Sequence, residues 1–111
     1  MAVATLGEKG SIAYDGEHFY ECGIVPAEKV VNTVGAGDCF LAGLVNALLD
    51  ELPGRAGERI SWTPLGDTEA AHVLTSAVAS ASHCVQRPGC TPPTVGELAQ
   101  RMGAGTVQFT R

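Results

Sequence analysis

The four consecutive residues Gly35-Ala36-Gly37-Asp38 are the string in this sequence best suited to chemistry. Glycines in a loop that turns into a helix leave backbone N–H groups pointing outward, with the positive end of the helix dipole behind them. Such a nest holds an anion. Glycine matters there because a ligand oxygen must come within hydrogen-bond distance of the backbone, which a side chain would obstruct. A carboxylate placed directly after the nest repels the ligand that the nest attracts, so it needs a role of its own. Accepting a proton is one such role, because in phosphoryl transfer the protein positions reactants and stabilises charge, while an Asp takes the proton of the attacking hydroxyl. The plain alternative is that Asp38 only favours a helix N-terminus, worth about 0.3–1 kcal/mol. For the four residues taken alone, the two readings weigh equally.

The flanking patterns say what must position this loop. Ala2 to Leu6 is an apolar run closed by Gly7-Glu8-Lys9-Gly10, which predicts a buried strand ending in a tight glycine loop. Ser11 to Tyr14 leads into Asp15-Gly16, a two-residue hairpin signal, and Glu17 to Cys22 supplies the returning strand. After Pro26, the extended stretch Lys29-Val30-Val31 runs into the glycine loop. Phe40, Leu41, Leu44, Val45, Leu48 and Leu49 then recur at helical spacing, predicting a helix from about Ala36 to Asp50 with a broad apolar face. Residues 51–66 read as an exposed loop. Asp67 or Thr68 is placed to cap a second helix whose face is Ala70, Leu74, Ala77, Val78, Ala81 and Val85, stopped by Arg87-Pro88-Gly89. Thr94-x-x-Glu97 is a capping box for a last short helix through about Met102, and Ala104 to Arg111 carries no readable signal.

Bulk properties exclude several function classes. The chain has 111 residues, 45% hydrophobic and 17% charged, which suits one soluble globular unit with a modest core. A net charge of −5 and the lack of a Lys/Arg run argue against nucleic acid or an anionic membrane as partner. No stretch has the apolar length of a membrane-spanning helix and no signal segment follows Met1, so a cytoplasmic protein is expected. Cys22, Cys39, Cys84 and Cys90 include no Cys-x-x-Cys pair, which favours reduced, structural thiols; Cys39, beside the proposed base, is a candidate for alkylation. His18, His72 and His83 are too scattered to suggest a metal site.

Taken together, the string Thr5-Leu6-Gly7-Glu8-Lys9-Gly10, the hairpin, Val30 to Asp38, the apolar helix and Gln86-Arg87-Pro88-Gly89 before a capped helix resemble the C-terminal part of the ribokinase/PfkB carbohydrate kinase family. The resemblance covers about residues 1–102 as one kinase segment, with 103–111 as a tail. It implies the C-terminal part of a three-layer α/β/α fold, ATP and Mg²⁺ as cosubstrates, and transfer of the γ-phosphoryl group to a hydroxyl of a sugar or sugar-like acceptor. In that reading Asp38 is the catalytic base, and the amides of Gly35, Ala36 and Gly37 form the anion hole. Thr5, Gly7, Lys9 and Gly10 lie near the nucleotide, although a solvated turn is the commoner place for a lysine such as Lys9. A monovalent cation such as K⁺, bound in several members largely by carbonyls, would take Asn32, Val34, Cys84, Arg87 and Gly89. Asn32 replaces the Asp frequent at that position, and Pro93 stands where a hydroxyl ligand is often seen. A homodimer is an expectation for a full-length enzyme only.

Two departures bear on activity. The sequence contains neither the family's Asn-x-x-Glu motif nor a Gly-Gly pair of its sugar-binding half. The resemblance therefore covers roughly the last third of a complete kinase, weak or inactive alone. The rival reading is a non-catalytic module that retains the nucleotide or anion loop.

Overall fold

Side chains that alternate inward and outward over residues 11–14 and 19–22 form the centre of a small antiparallel sheet. In the computed structural model, which describes residues 1–25, 27, 29–51, 65–89, 91–103 and 109–110, the strands are β1 (Ala2–Thr5), β2 (Ser11–Tyr14), β3 (Phe19–Cys22) and β4 (Phe109–Thr110), in the spatial order β1-β2-β3-β4. Val3 pairs with Ala13, Ala13 with Tyr20, and Cys22 with Phe109. Ser11, Ala13, Tyr20 and Cys22 face the core, whereas Ile12, Tyr14 and Phe19 face outward. The rings of Tyr14 and Phe19 stack there with centroids 4.6 Å apart.

The expected buried strand at Ala2 to Leu6 is a strand, but it is not buried. Ala2, Ala4 and Thr5 are exposed and Val3 is only half-buried. The reason is its place in the sheet: β1 pairs with β2 alone, while helical packing falls on the β3 side. The connection from β1 to β2 is a 3₁₀ turn over Gly7–Lys9, closed by the Leu6 N–H donating to the Gly10 carbonyl at 2.7 Å. Gly10 has φ 95°, and a Cβ there would meet the Cys22 carbonyl oxygen, so no other residue fits this approach.

The hairpin differs from its two-residue expectation. Tyr14 pairs with Phe19, so Asp15–His18 form a four-residue connection. The Asp15 carboxylate explains the length: Oδ1 accepts the N–H of both Glu17 and His18 at 2.8 Å, and Oδ2 accepts the Tyr20 hydroxyl at 3.0 Å. The Asp15 N–H still donates to the His18 carbonyl at 3.2 Å, and the side-chain acceptor takes only the His18 N–H that a tighter turn would give to the Asp15 carbonyl. The Tyr20 hydroxyl also lies 3.2 Å from the Leu65 carbonyl, tying the hairpin to the approach of the second helix.

Three helices follow: α1 (Ala36–Glu51), α2 (Asp67–Val85) and α3 (Val95–Gly103). The broad apolar face expected on α1 divides. Phe40 and Leu44 are buried together with Cys39, Gly43 and Ala47, while Leu41, Val45 and Leu49 are exposed. The buried strip meets α2 at a close crossing. Ser76 donates its hydroxyl to the Gly43 carbonyl at 3.1 Å, and a Cβ on Gly43 would lie 2.8 Å from Ser80 Cβ and 2.9 Å from the Ser76 carbonyl oxygen. α2 buries more than its expected face, including Val73, Ser76, Ala79 and Ser80, because α1 and α3 both pack on it. Gly66, rather than Asp67 or Thr68, stands at its N-cap. The capping box of α3 is as expected, with Thr94 N–H to Glu97 Oε1 at 3.0 Å and Glu97 N–H to Thr94 Oγ1 at 3.2 Å. Phe109–Thr110, in the stretch without a sequence signal, add β4 beside β3. Residues 52–64, including Trp62 and most of the expected loop, lie outside the described residues.

Candidate functional site at the start of the first long helix

The loop that enters α1 is fixed from its N-terminal side. The N–H groups of Val31 and Asn32 both donate to the Val85 carbonyl, at 2.7 and 3.2 Å, anchoring the segment to the last turn of α2. Asn32 Oδ1 then accepts the Val34 N–H at 2.8 Å, an Asx turn that bends the chain toward Gly35. Gly35 has φ 80°, a left-handed conformation that favours glycine, and its carbonyl accepts the Cys39 N–H at 2.9 Å as the first helical bond. The Ala36 N–H is taken by the Thr33 carbonyl at 3.2 Å.

This pattern takes one of the expected donors, the Ala36 N–H, out of use. Sequence reasoning placed the anion hole at Gly35, Ala36 and Gly37; in the structure the Ala36 amide is engaged. Gly37 and Asp38 are the amides of the first turn without a backbone acceptor among the described residues. Asp38 is the third residue of α1, exposed, and its side chain has no hydrogen-bond or ion-pair partner among the described residues. A Cβ on Gly37 would project into open space. Two open amides, a helix N-terminus and an unencumbered carboxylate thus lie within one turn.

A groove of about 670 Å³ runs past this point. It is lined by Thr5, Gly7 and Gly10 of the first glycine loop, by Ala36 and Gly37, and by the apolar side chains of Phe40 and Val78. The structure therefore brings Thr5, Gly7 and Gly10 to the same groove as the anion loop. Lys9 lies elsewhere, in a separate pocket of about 230 Å³ with Ser11 and Glu21. Glu8, which sequence reasoning did not single out, lines the main groove.

The residues matched to a monovalent cation are partly gathered. Cys84 Sγ is 3.8 Å from the Val34 carbonyl, so the Asn32–Val34 bend sits against the end of α2. The Cys84 carbonyl accepts the Arg87 N–H at 3.2 Å, and Gly89 is exposed with φ 68°. The Arg87 side chain points to Glu97, at 2.8 Å. Among the described residues no cluster of three His, Cys, Asp or Glu is placed to hold a metal, and no helix is long and apolar enough to cross a membrane. Cys39 is buried, contrary to the expected exposure to alkylation, because its side chain lies on the face of α1 that meets the core. Val85 was missed by sequence reasoning beyond its helical face; its role lies in a carbonyl, which no residue type advertises.

The small sheet followed by three helices defines the class: part of a ribokinase-like α/β fold. A nucleoside kinase from Methanocaldococcus jannaschii, an archaeal member of the ribokinase family, superposes with a TM-score of 0.69 at 28% identity, covering 93% of this chain and 30% of its own. A ligand-free nucleoside kinase from Burkholderia thailandensis shares the fold with a TM-score of 0.63 at 23% identity, over 90% of this chain and 28% of its own. Residues 1–95 match the family described as pfkB family carbohydrate kinase, and the chain belongs to that family. A ribokinase from Arabidopsis thaliana is 36% identical over 93 residues, 83% of this chain and 20% of its own length. Fructoselysine 6-kinase from Escherichia coli is 49% identical over 43 residues, 39% of this chain and 16% of its own length. The chain thus spans a fifth or less of these curated relatives.

Proposed function

We propose that this chain is the nucleotide-binding and phosphoryl-transferring segment of an ATP-dependent carbohydrate kinase, with Asp38 as the general base toward a sugar or sugar-like hydroxyl. The observation that carries the reading is the exposed Asp38 carboxylate, unpaired among the described residues and adjoining the open amides of Gly37 and Asp38 beside the groove. Membership of the family supports ATP as phosphoryl donor, and the glycine-lined groove has room for a polyphosphate where Gly7 and Gly37 leave space for a close approach. Mg²⁺ brought with the nucleotide would supply charge neutralisation on the transferring group; among the described residues no cluster of three His, Cys, Asp or Glu is placed to hold it. K⁺ would sit where the Val34 carbonyl meets the end of α2, the part of the cation set that the fold gathers. ATP use and the net charge of −5 support a small-molecule acceptor and a cytoplasmic setting, with dimerisation a property of the complete enzyme.

Within the site, the amides of Gly37 and Asp38 hold the developing negative charge of the transferring group, and the helix dipole reinforces them. Asp38 accepts the proton of the acceptor hydroxyl as the new O–P bond forms. Turnover requires the acceptor to be held as well, and in the family those residues belong to the half that this segment does not match. The chain alone is therefore expected to bind Mg-ATP but to phosphorylate sugars weakly or not at all.

The test compares wild type and Asp38→Asn, both in this chain and in a complete kinase carrying it. ATP affinity is measured by calorimetry, and turnover by ADP release with ribose, fructoselysine and nucleosides. Affinity stays within a few-fold, and kcat in the complete kinase falls by about 10²–10⁴, the span for a positioned base. A kcat within a few-fold of wild type removes Asp38 from the role. Nucleotide binding without turnover in any complete kinase carrying the segment favours a non-catalytic module instead.

A further inference from the structure

The Glu97 carboxylate makes more contacts than a helix cap requires. Oε1 accepts the Thr94 N–H at 3.0 Å and closes the capping box. Oε2 is free of that duty and receives Arg87 Nη2 at 2.8 Å, with His83 Nε2 3.6 Å away. The His83 Nε2 atom is buried and has no hydrogen-bond partner among the described residues. The Thr94 backbone N–H and hydroxyl, with Arg87 and His83 adding attraction, hold the Glu97 carboxyl below the usual carboxylate range. A Gln would close the box as well as a Glu does. The charge and the second oxygen are therefore spent on the end of α2.

That end of α2 anchors the glycine loop. Arg87 lies in the turn that terminates the helix, where its N–H donates to the Cys84 carbonyl at 3.2 Å and the Gln86 N–H to the His83 carbonyl at 3.3 Å. Between them, the Val85 carbonyl receives the N–H groups of Val31 and Asn32. Gly35 comes three residues after Asn32, and the open amides of Gly37 and Asp38 follow it. The start of the loop is thus held by the carbonyl of the residue at which that terminal turn begins.

We infer that Glu97 is a positioning residue for the Gly35–Asp38 loop, acting through Arg87 and the last turn of α2; the inference rests on the reading of that loop as the phosphoryl-transfer site. The competing account is that Glu97 only docks α3 onto α2. Arg101 provides the contrast: it too links the helices, its guanidinium donating to Ser82 Oγ at 3.0 and 3.2 Å, three residues before Val85.

Backbone amide NMR on the 111-residue chain separates the two. Glu97→Gln and Arg87→Gln shift the amide resonances of Val31, Asn32 and Gly37 in the same direction, and the double variant moves them no further than either single one. Arg101→Gln leaves those three amides in place. Equal movement in Arg101→Gln, additive movement in the double variant, or unmoved amides in Glu97→Gln overturns the inference. Should a variant fail to fold, wild type is taken from about 0.1 to about 1 M NaCl, where screening shortens from about 10 to about 3 Å and releases the half-exposed Arg87–Glu97 pair. The amides of Val31 and Asn32, whose N–H groups are engaged by Val85, then shift, and stationary amides overturn the inference equally. The readout involves no phosphoryl transfer. Loss of the Asp38 assignment in the kinase assay therefore leaves the coupling standing, and loss of the coupling leaves that assignment standing.

Discussion

Replacing Asp15 by Ala removes one carboxylate and three hydrogen bonds: two from backbone N–H groups at 2.8 Å and one from the Tyr20 hydroxyl at 3.0 Å. Bonds to a charged acceptor are worth about 1.5–3 kcal/mol each, but water can reach part of the turn and the three are not independent. The expected loss is about 2–4 kcal/mol, a large share of the 5–15 kcal/mol typical of a domain. Urea unfolding followed by circular dichroism reads it as a lower midpoint at unchanged slope. The same carboxylate carries a pH signature. Burial pushes its pKa up, yet the His18 and Glu17 N–H bonds, the Tyr20 hydroxyl and His18 outweigh burial and hold it below the ordinary value of 3.8. Its folded-state pKa is thus depressed, so its contribution is complete above the unfolded value and disappears as pH falls through the folded one. Below about pH 4 wild type loses this component, whereas Asp15→Asn, with no charge to titrate, lacks that part of the acid slope. An Asp15→Ala midpoint equivalent to less than about 0.5 kcal/mol, the usual range for a surface change, would refute the reasoning.

Other substitutions probe the frame around the site. Gly43→Ala puts a methyl 2.8 Å from Ser80 Cβ and 2.9 Å from the Ser76 carbonyl oxygen. The overpacking cost of about 1–3 kcal/mol exceeds a helix-propensity gain of at most about 1 kcal/mol, so the urea midpoint falls; a variant as stable as wild type contradicts the close crossing. Gly96→Ala meets no heavy atom within 4 Å in α3, and thermal melting shows stabilisation by about 0.4–1 kcal/mol, with destabilisation as the contrary result. Burial pushes the Cys22 thiol up to about 11, against a small opposing bond with Thr75. Iodoacetamide at pH 8 with peptide mass mapping therefore leaves Cys22 intact in folded protein and modifies it in urea; prompt labelling of folded protein argues against this burial.

What was legible in the sequence followed from local chemistry. The glycine loop, the bounds of α1 and the Thr94/Glu97 box depend on residues within one or two turns of each other, and each appears where its pattern places it. Patterns that needed a neighbour failed in proportion. Ala2 to Leu6 has the composition of a buried strand, but composition does not say which edge of a sheet the helices leave uncovered. Asp15-Gly16 signals a turn correctly, yet the four-residue connection depends on Tyr20 and the backbone of His18 meeting the Asp15 side chain. At the candidate site, Asp38 and the glycines were readable from residue type. The engagement of the Ala36 N–H and the anchoring carbonyl of Val85 were not, because both lie in backbone contacts.

Pairing Cys22 with Phe109 gives the sheet a history in time as well as a place in space. β2 and β3 are joined by four residues and are able to zip together as soon as they are made, but the second edge of β3 waits for a strand that begins about 87 residues later. At ordinary translation rates that interval is roughly 4 to 17 s. During it a strand carrying Phe19 and Tyr20 presents unpaired backbone donors and acceptors, the template on which foreign strands pair. The two-residue β4 is therefore a closing stitch: losing it would matter less to the finished protein than to the yield of soluble chain.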